Sequence, residues 1–143
     1  MPTGKGPTAS ANFLRLLYQA VAWGNVADDS ASRPLDNIFY GMNISAPTGG
    51  DQSKGEAIYP GYARQAVARS RTGHVYRDGA IYPASAILFP KATSAGEVLT
   101  HFHTGRSKSG AGEVFHYGEI EPQIYIVPGA IPELGSETAI EEG

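Results

Sequence analysis

The sequence predicts an all-β fold: an antiparallel β-sandwich of jelly-roll type with one N-terminal α-helix and extended terminal arms. Three observations lead there. Gly (18) and Pro (10) form about a fifth of the 143 residues, which suits short strands joined by turns and would break a helical bundle. Apolar residues come mostly in short alternating segments at regular spacing, as in a sandwich or barrel. One stretch alone repeats its apolar residues at the helical period.

Taken in order, residues 1–9 hold two Gly and two Pro and no periodic pattern, and read as an extended arm that a partner orders. Residues 10–24 read as the helix. Ser10 is the N-cap, Phe13, Leu14, Leu17, Ala20 and Val21 form one face, and Gly24-Asn25 is the stop. Leu16, Tyr18 and Trp23 lie partly off that face, so the helix is expected to be covered on more than one side, by its own domain or by a neighbour. A polar connection, 25–36, leads to a strand over 37–44 with Ile38, Tyr40, Met42 and Ile44 on one face. Residues 45–57 form a long Gly-rich loop, functional or mobile by its length.

A second strand follows the Pro60-Gly61 turn within 58–69. Residues 70–84 read as another loop, with strand fragments at Val75-Tyr76 and Ile81-Tyr82. Residues 85–89 form a short strand ended by Pro90. Over 97–103, Val98, Thr100 and Phe102 alternate with Leu99, His101 and His103. A Gly/Ser hairpin loop, 104–112, precedes strands at 113–118 and 123–127. The expected organisation is an arm (1–9), one domain (10–130) and an acidic tail (131–143). No internal repeat is evident.

Composition narrows the function. Cysteine is absent, so there is no disulfide, thiolate zinc site or Cys nucleophile. A net charge of −3 does not suit a nucleic-acid binder. Apolar stretches fall short of a membrane span, and the first ten residues lack a secretory core, so a soluble chain is expected. Charge is uneven: residues 1–108 hold all 11 Lys and Arg with 7 acids, and residues 109–143 hold 7 acids and no Lys or Arg. The acidic end reads as a solvated tail, or as one half of a head-to-tail pairing between copies.

Two constellations bear on chemistry. His101 and His103 share a strand face, and His116 on the next strand is placed to lie across from them, a set able to bind zinc or iron. The H-x-H after Gly96 is similar to a cupin metal motif, but that motif's Glu is missing, and histidines packed or hydrogen-bonded in the fold are the favoured reading. There is no G-x-S-x-G elbow, P-loop or dinucleotide fingerprint. Arg64, Arg69, Arg71 and Arg77 are interleaved with Tyr62, His74 and Tyr76. Such a set suits a protein interface, ordinary surface or single-stranded nucleic acid, in that order of preference. The expected interface residues are Arg64, Arg69, Arg71, Tyr62, Tyr76 and Trp23.

Two stretches carry a family resemblance. IYPGYARQAVARS, residues 58–70, resembles the "G-G-Y-A-R-Q-A-V" strand of a family of small bacteriophage virion proteins. Residues 85–120 are similar to that family's second block, "F-P-x-A-T", then "G-x-V-T-H-F", a Gly-rich hairpin and "W/Y-G-x-L". The matching residues are Phe89, Pro90, Ala92, Thr93, Gly96, Val98, Thr100, His101 and Phe102, then Tyr117 and Gly118. The chain departs from the pattern in a longer 70–84 loop, in His103-Thr104-Gly105, and in an extra acidic end, 131–143.

The resemblance implies a non-enzymatic structural protein of the phage particle, made in the host bacterial cytoplasm. Members are commonly labelled tail-fibre proteins, and others of similar size are head decoration or cement proteins. A capsid decoration or cement protein is the favoured expectation, because the chain is short and has neither heptads nor fibre repeats. Its expected partners are the major capsid protein or other virion proteins and further copies of itself, with no membrane, nucleic acid, cofactor or metal. A tail-fibre or receptor-binding component is the alternative, with loops 45–57, 70–84 and 104–112 as its binding face. A cupin-like metalloenzyme is the remote one.

Overall fold

The computed structural model describes residues 7–23 and 35–142. It is mostly antiparallel β-structure with one α-helix, so the all-β class with an N-terminal helix holds. The elements are α1 (Pro7–Gln19), β1 (Asn37–Asn43), a 3₁₀ turn (Thr48–Gly50), β2 (Gln65–Ala68), β3 (His74–Arg77) and β4 (Ala80–Pro83). Then come β5 (Ile87–Leu88), β6 (Val98–Gly105), β7 (Val114–Tyr125), β8 (Glu133–Leu134) and β9 (Ile140–Glu141). They fall into two compact units, one from the described parts of Met1–Asp36, Val67–Ala86 and Gly135–Gly143, the other from Asn37–Ala66 and Ile87–Leu134. No helix among the described residues is long and apolar enough to cross a membrane.

In the first unit, α1 packs on the hairpin β3–β4, and β9 pairs with β4 to complete a three-stranded sheet. The helix differs from its expectation at both ends. It begins at Pro7, so residues 7–9 are helical rather than part of an arm, and Ser10 lies inside it. It ends at Gln19, where Ala20 takes a left-handed φ of 56° and Val21 N–H donates to Arg15 O. The expected stop at Gly24-Asn25 and the arm residues 1–6 lie outside the described residues. Leu14 and Tyr18, one turn apart, are fully buried, whereas Phe13 is exposed. Tyr18 meets His74 edge-on at 5.1 Å.

The supposed 70–84 loop is a tight hairpin. Asp78 and Gly79 both take positive φ (49° and 86°), the requirement of a two-residue type I′ turn that matches the twist of its strands. The acidic end is not a free tail either. Leu134 and Ile140 are buried, and both lie in strands.

The main sheet has the strand order β2-β1-β6-β7, of which β1, β6 and β7 belong wholly to the second unit. The β1–β6 pair sets Gly41 opposite His103 and Asn43 opposite His101. Tyr40–Asn43 of β1 and Phe102–Gly105 of β6 are buried at consecutive positions, so both faces of the sheet are covered there. That is why simple alternation fails at His103-Thr104. The two strands expected at 113–118 and 123–127 are the single strand β7. Between Leu99↔Ile124 and His101↔Glu119 it spends five residue steps against two on β6. A small ladder, β5–β8, turns Ile87, Phe89, Pro132 and Leu134 inward and Leu88, Ile131 and Glu133 outward.

Candidate functional site

The second unit carries a polar network in its core. His103 is fully buried on β6, where apolar neighbours would be the default. Its Nδ1 lies 2.7 Å from Asn43 Oδ1, and its Nε2 lies 3.3 Å from Gln52 Nε2. Backbone partners fix both amides. Asn43 Nδ2 donates to Lys54 O (3.2 Å), and Ser107 N–H donates to Gln52 Oε1 (2.8 Å). Asn43 therefore presents its oxygen to the ring and Gln52 its NH₂, which assigns His103 as the neutral Nδ1–H tautomer. Burial pushes its pKa down to about 4; the Glu56 charge opposes that shift and the Arg64 charge adds to it.

Glycines make room for this network. A Cβ at Gly41 would overlap the His103 ring, and one at Gly105 would overlap the Gln52 amide. Only glycine lets the two planar groups lie against the strand backbones.

Beside it sits an ion pair. Arg64 Nε and Nη2 donate to the two Glu56 oxygens at 2.6 and 2.8 Å, with side chains 2% and 14% exposed. Arg64 also donates to Ser107 O (2.9 Å) and Gly110 O (2.7 Å). Tyr62 OH donates to Glu56 Oε2 (2.7 Å) and accepts from Met42 N–H (3.1 Å). Burial, and then the Glu56 carboxylate, push the Tyr62 phenol well above its ordinary value.

Together these groups clamp two loops. Residues 45–57, expected to be functional or mobile, are held by Gln52 N–H on Gly112 O, by Ile44 N–H on Gly55 O, and by bridges Asn43↔Glu56 and Asp51↔Glu113. A cavity of about 310 Å³ opens above the pair, lined by Glu56, Tyr62, Arg64, Lys108, Ser109 and Gly110 among others. With both ring nitrogens of His103 and all three nitrogens of Arg64 bonded, the network acts as a rigid floor under the two loops.

The residues expected at an interface are dispersed. Arg64 and Tyr62 are interior to the second unit, as above. Arg69 holds the first unit together: Nε and Nη2 donate to Leu17 O (2.8 Å) and Leu16 O (2.7 Å) in the last turn of α1, and Nη1 donates to Leu35 O (3.3 Å). Arg71 is exposed, and Tyr76 and Trp23 are half-buried, all three in the first unit. Tyr62 and Arg64 line the cavity of the second unit, and Arg71 and Tyr76 line a separate cleft in the first.

The three histidines do not form one face. His116 stands opposite Thr104, whereas His103 stands opposite Tyr117 and His101 opposite Glu119, so His116 lies on the other side of the sheet. His101 Nδ1 lies 2.8 Å from Thr100 Oγ1. No group of three potential metal ligands comes together among the described residues.

Asn43, Gln52 and Glu56 carry no motif of their own in the sequence. The signal for them was the pair of in-strand glycines, Gly41 and Gly105, since a glycine inside a strand marks a close approach. Compared with protein-family models and with curated proteins, the chain matches none of them.

Proposed function

We propose that this chain is a non-enzymatic structural protein of a bacteriophage particle, acting through protein–protein contacts. Within that reading we favour a capsid decoration or cement protein that stabilises the head by contacting the major capsid protein. The observation that carries it is the outward-facing apolar set of the second unit. Leu88, Ile131, Tyr125, Val127 and Ile58 are each more than half exposed. Leu88 and Ile131 share the outer face of the β5–β8 ladder. Tyr125 and Val127 flank buried Ile126, so they point out together. Large apolar side chains grouped at a surface mark a contact site. The resemblance of residues 58–70 and 85–120 to virion proteins supports the setting.

The sandwich of jelly-roll type belongs to the same proposal. Its support is the β1–β6 core, whose consecutive buried residues need a cover on each face.

A tail-fibre or receptor-binding component is the second reading. The clamped loops 45–57 and 104–112, with the cavity beside Lys108 and Ser109, favour it. Quantitative mass spectrometry of purified particles, scaled to the major capsid protein, separates the two. A copy number in step with the capsid lattice supports decoration. A much smaller, fixed number supports a tail part. Absence from particles overturns both.

A further inference from the structure

The first unit carries a cleft of about 450 Å³ with a one-sided charge. Asn12, Arg15 and Gln19 of α1 line it together with Arg71, Val75 and Tyr76, and none of its described lining residues is acidic. The Arg15 guanidinium lies 4.1 Å from the Tyr76 ring centroid, which holds it over the ring. Arg71 is exposed. Among the described residues neither arginine has a carboxylate within ion-pair distance.

The complementary charge lies on β7. Tyr117, Glu119 and Glu121 are exposed at alternate positions and so form one row. β7 is an outer strand of its sheet, with one edge unpaired among the described residues. Neither glutamate of the row has a cation within ion-pair distance among the described residues, whereas Glu113 already pairs with Arg106 at 3.2 Å.

We propose that the Tyr117–Glu119–Glu121 row of one copy docks into the Arg15–Arg71 cleft of a second copy. Two carboxylates spaced along a strand meet two guanidinium groups, whose planar forks suit carboxylates. Tyr117 adds an aromatic ring beside Val75 and Tyr76. The acidic excess of residues 109–143 over the basic balance of residues 1–108 steers the encounter. This self-contact stands apart from the virion reading, since purified protein without particles displays it.

Sedimentation velocity on the full chain tests it. Association should rise with concentration at about 0.05 M salt and weaken about tenfold at about 0.5 M. Arg71→Glu should leave monomer, and so should Glu119→Lys with Glu121→Lys. Mixing the two variants should restore association, because each then carries the charge the other needs. All three residues are exposed, and circular dichroism checks that the variants fold; the β7 variant alone suffices if Arg71→Glu does not. A wild type that stays monomeric at every concentration overturns the proposal. So does association that ignores both variants, failure of the mixture to restore it, or a monomer whose cleft takes an oligonucleotide instead.

Discussion

Arg64 shows how a residue type misleads when its partner is out of sight. An arginine among tyrosines reads as an interface anchor, yet Glu56 lies 8 residues upstream and takes both ends of its fork. Nothing in a loop of Gly, Ser and Lys marks that one carboxylate for burial. We expect Arg64→Ala to destabilise the protein by about 3–5 kcal/mol, because Glu56 is then left charged and enclosed. Urea denaturation measures it, and replacing both partners should cost less than replacing Arg64 alone.

The buried histidines add a pH dependence. His74 and His103 are fully buried, and burial lowers both from 6.5 to about 4. The unfolded chain therefore binds protons that the folded chain refuses. Stability from this source is complete above pH 6.5 and is lost as pH falls toward about 4. Each histidine contributes a slope of about 1.4 kcal/mol per pH unit in that window. Urea midpoints across it should fall steadily, and His103→Gln should reduce the slope.

Among the elements, those with a local signal were legible. The strand expected over 37–44 became β1, without Ile44, and the Pro90 stop stands where the sequence put it, whereas the hairpin loop expected at 104–112 starts only after Gly105, because Thr104 and Gly105 belong to β6. The helix was legible as an element but not at its ends. Its N-terminus needs no Ser cap in the expected place, and its C-terminus is completed from outside by Arg69, 50 or more residues away. A cation at a helix C-terminus satisfies carbonyls that have no partner inside the helix. We expect Arg69→Met to destabilise the first unit by about 1–3 kcal/mol, since two α1 carbonyls and Leu35 O lose their donor. Hydrogen exchange should show it first in the last turn of α1. The Asp78-Gly79 turn carries a local hairpin signal, but Val75-Tyr76 and Ile81-Tyr82 on either side are too short to read as strands alone.

At the scale of the molecule, charge patterning was the least reliable guide. Seven acids without a Lys or Arg over 109–143 suggest solvent, and most of those carboxylates do face it. The apolar residues between them decide where the backbone goes. Phe89 N–H donates to Pro132 O and Ala92 N–H to Ala130 O, so residues 130–134 close the second unit. Ile140 sits opposite Ile81 in the sheet of the first unit, with 3% of its surface exposed. A tail could be removed freely; a pair of strands that closes two units cannot. Ending the chain before residue 135 removes β9 and leaves β4 with one neighbour and Ile81 uncovered. Losing the buried Ile140 alone costs about 2–4 kcal/mol, which for a chain of this length lowers Tm by about 5–15 °C. Ending it before residue 130 removes β8 as well and should prevent the second unit from closing over Phe89. Thermal melts of the two truncations should therefore fall in that order, and a melt unchanged by either would return 131–143 to the status of a solvated tail.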